Sequence, residues 1–316
     1  MERVFVHKEG DVWCPPFEPE PGVVGETLRP AMEMLRRRVF GLTPWTREHY
    51  VATRESRKRA TYEQALKELE LHGLTDKDSR LKTFVKVEKL NLSAKPDPTP
   101  RIIQPRSPKF NIELGRYIQP IEGVIYKQLS AMYADTFGAT GSVVFKGMNA
   151  VEQGELLGRK WRSFRDPVFV GGDVSRCDQH MSVPLLKWEH AVYNLYYNSS
   201  ELAQLLKTTL YQKGVAMSEE GVVLYKIIGR RASGEVTTSS GNTLLICCLV
   251  LCALLELGVK RADFIDNGDD FGILCEREDL VRVQAVGDCL SRVGLPTEME
   301  PPVDVIEHIV FCQLRS

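Results

Sequence analysis

The chain has 316 residues, 43% of them hydrophobic and 26% charged, which suits a soluble globular protein with one large domain or two. A net charge of −1 excludes a uniformly basic protein, and the charged start MERVFVHKEGD excludes a secretory signal peptide. The longest apolar run, residues 244–255, is 12 residues against the roughly 20 that a bilayer span needs, so it reads as a buried helix. The eight cysteines show neither zinc spacing nor a disulfide framework, which points to a reducing compartment.

Residues 1–45 carry Pro15, Pro16, Pro19, Pro21, Pro30 and Pro44 and read as an extended arm, then a helix over 28–39. Apolar residues at helical spacing (Tyr62, Ala65, Leu66, Leu69) predict a helix over 61–71. The alternation Lys95-Pro96-Asp97-Pro98-Thr99-Pro100 predicts a loop, followed by a short strand at 101–104. A helix is expected over 150–162, a buried strand over 168–170, and a helix over 185–197. A strand over 222–228 precedes a polar turn of small residues, 233–241, and the apolar helix 242–257. Two short strands, 262–265 and 271–274, flank Asp266-Asn267-Gly268-Asp269, a hairpin signal. An amphipathic helix over 279–293 and a strand over 308–313 complete the pattern, with no internal repeat.

Three groups of residues carry chemistry. Asp173 ends a buried strand, while Asp269 and Asp270 sit at a hairpin tip. Adjacent acids at a tight turn repel one another, and a divalent cation removes that cost. Mg²⁺ prefers oxygen ligands and is held by one or two carboxylates plus substrate phosphates. A pair of such ions activates an attacking hydroxyl and stabilises a leaving oxygen. The segment 231–242 is rich in small residues, hydroxyls and glycine, so it suits either close approach to a ligand or an ordinary helix-capping loop. Between Arg80 and Arg116 nine basic residues face three acids, a local excess suited to phosphates or simply a solvated basic face.

The order of these motifs resembles the RNA-dependent RNA polymerases of the tombusvirus family, over roughly residues 50–313, with flavivirus-like polymerases as more distant relatives. It comprises a basic segment, Asp173 and Asp178 in D-x4-D, then Ser233, Gly234, Thr238 and Asn242 in S-G-x3-T-x3-N. Gly268-Asp269-Asp270 and Phe311-Cys312-Gln313 follow. The strings 94–108, Lys146-Gly147-Met148-Asn149-Ala150 and 175–180 are the most specific. The chain departs from the usual pattern at Cys177, Glu235-Val236-Thr237 and Ser240. No lysine follows Lys260, so the proton donor to pyrophosphate is open, with His308 as a candidate.

The resemblance implies an α+β right-hand polymerase, with a palm of antiparallel sheet plus helices, fingers, and a thumb largely missing beyond Ser316. It implies an N-terminal arm and fingers-linking region at 1–59, basic fingers at 60–165, palm at 166–182, a fingers insertion at 183–230, and palm to the primer-grip strand at 231–316. Asp173, Asp269 and Asp270 would hold two Mg²⁺ or Mn²⁺ ions. Lys86 and Arg101 would grip the nucleoside triphosphate, and Asp178, Ser233, Thr238 and Asn242 would read its ribose 2′-hydroxyl. Lys89, Arg106, Phe311, Cys312 and Gln313 would contact RNA. Partners would be template, primer or nascent strand, nucleoside triphosphates, and a viral membrane-anchored replication protein, in host cytoplasm at membrane-associated replication complexes. Rival readings are a reverse transcriptase, against which the polar pair Asp178 and Asn242 argues, and a non-catalytic RNA-binding fragment. With one wall of the RNA channel absent, weak RNA binding, self-association and an exposed apolar edge near Val310 and Phe311 are expected.

Overall fold

The computed structural model describes every residue except Met1, Arg3, 89–98, 219–220, 312–313 and Ser316. Helices and two four-stranded sheets place the chain in the α+β class. Two compact units are each assembled from separate stretches of chain. One comprises Met1–Phe17, Gly41–Ile121 and Asp178–Thr238, the other Glu18–Phe40, Glu122–Cys177 and Ser239–Ser316.

The second unit is built on an antiparallel sheet in the order Thr297–Met299, Pro167–Val174, Asp270–Glu276, Ala262–Asp266. Val168, Phe169 and Val170 are buried on both faces, so the strand reads as a continuous apolar run. Gly172 and Gly272 are needed for close approach. A Cβ on either would lie 2.3 Å from a cross-strand ring, Phe271 over Gly172 and Phe169 over Gly272. The helix Thr238–Glu256 is long and apolar enough to cross a bilayer, yet 83% of its apolar window is buried in the fold, as the sequence reading expects. Tyr133 Oη donates to the Cys247 carbonyl at 2.8 Å, and burial drives the Cys247 and Cys248 thiols well above their ordinary range. Lys160 and Asp263 form a fully buried pair at 2.5 Å, and Asp263 also accepts the Thr140 and Phe264 N–H groups. Removing one partner of such a pair costs about 3–5 kcal/mol.

The first unit carries a mixed sheet in the order Ile102–Ile103, Leu81–Val85, Tyr211–Ser218, Gly221–Ile228. Its one parallel pairing joins 81–85 to 211–218. The strands 81–85, 211–218 and 297–299 and the helix Ser200–Leu210 have no counterpart in the sequence reading. Nor does the 30-residue helix Pro108–Phe137, whose Gly115, Pro120 and Gly123 argue locally against helix. Packing overrides that preference: a Cβ on Gly115 would sit 2.3 Å from the Tyr50 ring, so glycine lets the helix lie against that side chain.

Other elements shift in their bounds. The expected helix 28–39 is present but shorter, Arg29–Arg36, and a separate short helix, Val23–Thr27, precedes it. The helix expected at 279–293 breaks at Ala285 into Leu280–Gln284 and Val286–Arg292. Of the last strand, expected over 308–313, Val310–Phe311 is strand after a 3₁₀ turn at Ile306–His308, and 312–313 lie outside the described residues. Most of the expected 95–100 loop lies outside the described residues.

Candidate metal centre and nucleotide-binding loop

In the second unit the neighbouring strands 167–174 and 270–276 place Asp173 directly opposite Asp270. Asp173 also faces Glu298 on its other side. Like charges directly opposed across a sheet are destabilising, so three acids in adjacent register form a site that favours a cation. The turn holding Asp269 depends on Gly268, whose φ of 111° lies where an L side chain is strained. Asn267 N–H donates to the Asp270 carbonyl at 3.0 Å and closes the turn. Asp173, Asp269 and Asp270 are all exposed at this end of the sheet.

Beneath the turn lies Asp266, fully buried, accepting the Gly268 N–H at 3.1 Å. Burial pushes its carboxyl up to about 7, against the opposing pull of Thr243, Lys146 and the Gly268 N–H. Lys146 donates to the Ser239 carbonyl and hydroxyl at 3.0 and 2.8 Å, and its Nζ stands 3.2 Å from where a Cβ on Gly268 would be. One lysine thus buttresses both the acidic turn and the start of the apolar helix that carries Asn242. Asn149 of the same string closes a capping box with Glu152, so part of that specific motif serves helix initiation. Asn242 is nine-tenths buried in the first turns of the helix Thr238–Glu256.

Glu300 is absent from the sequence reading. Its N–H donates to the Gly171 carbonyl at 2.9 Å, and its side chain lies over Gly171. Partial burial raises its carboxyl, and the charges of Asp270, Asp173 and Glu298 raise it further. No local pattern marks it, because its position follows from the non-local pairing of the 297–299 strand. Among the described residues no three acidic, His or Cys side chains converge as a complete metal cage. The donors nevertheless fit Mg²⁺ or Mn²⁺: they are carboxylate oxygens, exposed and mutually repelling, and such ions take much of their shell from water and substrate phosphate.

Phe311 does not fit an RNA-gripping role. It is 6% exposed and packs with Phe145, Phe169, Ile265 and Leu274, its ring edge-on to Phe145 at 5.9 Å. Val310 alone supplies the expected exposed apolar edge, at 54% exposure. Cys312, Gln313 and Lys89 lie outside the described residues.

In the first unit the loop 231–238 is held from two directions. Gln104 N–H donates to the Ser233 carbonyl at 2.8 Å, and Gly234 takes a φ of 90°. Arg106, expected at RNA, is instead buried: its Nε meets Glu235 at 2.5 Å and its Nη2 meets Gln212 at 2.9 Å. A guanidinium with no exposed side-chain surface cannot contact a solvated polymer, so its place is under the loop. Arg231 is fully buried in a bidentate pair with Glu189, at 3.1 and 2.5 Å. Burial works against its charge, but Glu189 outweighs it and holds the guanidinium above its ordinary range. The Arg231 N–H also donates to the Asp178 carbonyl at 2.8 Å, tying Asp178 to the loop. The Thr238 hydroxyl donates to the Ala232 carbonyl at 3.0 Å. Lys86 and Arg101 share Glu88, at 3.0 and 3.7 Å, on paired backbone.

The structure therefore gathers Asp173, Asp269, Asp270 and Asn242 in one unit. Lys86, Arg101, Arg106, Asp178, Ser233 and Thr238 belong to the other. The sequence model of the viral RNA dependent RNA polymerase family matches residues 1–316. The chain belongs to that family. It is similar to the RNA-directed RNA polymerase of Turnip crinkle virus, 38% identical over 319 residues, covering 99% of this chain and 39% of that protein. The counterpart from Tobacco necrosis virus (strain A) is 38% identical over 317 residues, covering 100% of this chain and 43% of the relative. That of Pothos latent virus is 37% identical over 321 residues, covering 99% and 41%. The chain thus spans about two-fifths of the length of these relatives.

Proposed function

We propose that this chain carries the catalytic centre of a viral RNA-dependent RNA polymerase. The reaction is attack of an RNA 3′-hydroxyl on the α-phosphorus of a nucleoside triphosphate. The hydroxyl loses its proton, a new P–O bond forms, the bond to the β-phosphate bridge breaks, and pyrophosphate leaves. The observation that carries this reading is the direct opposition of Asp173 and Asp270 beside the Gly268–Asp269 turn, in a member of this family.

Asp173 and Asp269 would hold two Mg²⁺ or Mn²⁺ ions, with Asp270 and Glu300 as further oxygen donors. Such ions, when bound, lower the pKa of the attacking hydroxyl and neutralise charge on the leaving oxygen. The protein's own part is placement. Asp266, Lys146 and the Gly268 turn fix the carboxylates, which limits reorganisation during the reaction. Asn242, with Asp178, Ser233 and Thr238, would recognise the ribose 2′-hydroxyl, and Lys86 with Arg101 would exchange Glu88 for the triphosphate. On this reading the Asp173 sheet belongs to a palm and the sheet containing 81–85 and 211–218 to fingers, with domains divided as the family resemblance implies. Template, primer, nucleoside triphosphates and a membrane-anchored viral replication protein are the proposed partners, in host cytoplasm.

Primer extension tests the proposal directly. Asp269→Ala in a chain extended through its natural flanking sequence should abolish nucleotide addition while RNA binding persists. Weakened Mn²⁺ binding, followed by electron paramagnetic resonance, should accompany the loss. Activity within about tenfold of the parent would remove Asp269 from the centre.

A further inference from the structure

The first unit's sheet has a face that the polymerase reading leaves without a role. Tyr225 pairs with Gly214, and its hydroxyl bonds Thr83 and Gln104, which defines one face. Strand alternation puts Tyr211, Lys213, Val215 and Met217 on the other, with Val222, Leu224, Lys226 and Ile228 from the neighbouring strand. This face is open: Tyr211 is 55% exposed and Leu224 79%.

Its cations are concentrated at one end. Lys213 and Lys226 are direct register partners, an arrangement that costs stability unless an anion lies between or above them. Arg80 and Lys213 border two concavities, one of about 320 Å³ that also takes in Lys207, Tyr211 and Gln204, the other of about 670 Å³ reaching Lys226. Asp76 is the one acid in either lining. None of Arg80, Lys207, Lys213 and Lys226 makes an ion pair among the described residues. The Lys86 and Arg101 pair differs, because Glu88 already balances it.

We propose that this groove binds the sugar–phosphate backbone of single-stranded RNA, with Tyr211 as a stacking platform for a base. Four cations without carboxylate partners complement a polyanion, and an exposed aromatic ring among them matches how single strands are held without sequence preference. The concavity, with Gln204 in its lining, suits discrete phosphates better than a flat anionic bilayer. The choice of RNA rests on the polymerase reading, whereas the site itself rests on the groove alone.

The test is fluorescence anisotropy of the full chain with a labelled 12-nucleotide RNA lacking secondary structure, across a salt series. Lys213→Gln with Lys226→Gln should weaken binding about tenfold or more. It should also flatten the slope of log affinity against log salt by about 1.4, since each single-strand phosphate contact contributes about 0.7. Tyr211→Ala should weaken binding about fivefold or more with the slope unchanged, a split that a general loss of structure does not produce. If the double variant melts early, Lys207→Gln on the separate helix 200–210 should still lower affinity and slope together. Unchanged affinity and slope in these variants would overturn the proposal. So would unchanged RNA binding with lost binding to phosphatidylcholine–phosphatidylserine vesicles, which would make the face a membrane surface. Asp269→Ala should leave this affinity intact, so failure of the groove and failure of the catalytic reading give different results.

Discussion

The two units treat charge in opposite ways. In the second, Asp173 faces Asp270 on one side and Glu298 on the other, and partial burial, with these same charges added to it, raises the Glu300 carboxyl. In the first, the loop 231–238 stands on Arg231 with Glu189 and on Arg106 with Glu235, oppositely charged and buried in pairs. Opposed acids at an exposed edge store repulsion that a bound cation would release. Buried complementary pairs leave no net charge for a ligand and serve shape, holding the backbone around Ser233 and Gly234. On the proposed reading, exposed like charge serves to bind a ligand, and buried paired charge serves to hold backbone in place.

That contrast can be broken first at Asp269. Asp269→Ala is expected to lower nucleotide addition by at least a hundredfold, measured by single-nucleotide primer extension, with little change in melting temperature because the side chain is exposed. A large loss of stability with modest loss of activity would move Asp269 to the structural class. The complementary change is Glu189→Gln, which leaves the Arg231 guanidinium buried without its counter-charge. It should destabilise by about 3–5 kcal/mol in urea unfolding, whereas Glu189→Leu with Arg231→Met should cost far less. Equal losses in the two variants would mean that shape rather than charge matters there.

Asp266 sharpens the comparison because it is a buried acid beside exposed ones. Its folded carboxyl is raised to about 7, so the folded state holds a proton that the unfolded chain has released above about 4. The stability it contributes is complete below about pH 4 and is lost as pH rises through about 7. With divalent cations removed, the parent should therefore lose stability relative to Asp266→Asn by up to about 1.4 kcal/mol per pH unit across that window. Parallel stability curves for the two proteins would show that Asp266 does not titrate there. The smallest expected effect is at Asn242. Asn242→Ala should reduce the preference for ribonucleotides over deoxyribonucleotides about five- to tenfold, since a site built around a hydroxyl otherwise leaves polar groups unpaired. Unchanged discrimination, with only the melting temperature lowered, would make Asn242 part of the helix start.

The residues closest to the proposed chemistry were legible because their signals are local. The hairpin around Gly268 is written in neighbouring residues, and the strand 262–266 extends the expected 262–265 by one. The apolar stretch that became the helix Thr238–Glu256 is hydrophobic all round, which by itself predicts burial. Arg106 and Phe311 were misread for the opposite reason. An arginine in a basic segment looks like a phosphate ligand until Glu235, 129 residues away, is folded onto it. A phenylalanine near the end of the chain looks exposed until Phe145 and Ile265 close over it.

Sequence alone was enough to determine the α+β class, the acidic turn, the buried helix and the motifs that carry the family resemblance. Each depends on the type and spacing of residues within one strand, turn or helix. Only the tertiary structure decided that Glu300 joins the acids, that Lys146 and Asp266 brace their turn, and that Lys213 meets Lys226 on an open face. Those facts follow from strand pairing and close packing between distant segments, whose energy is shared by both partners and marked in neither.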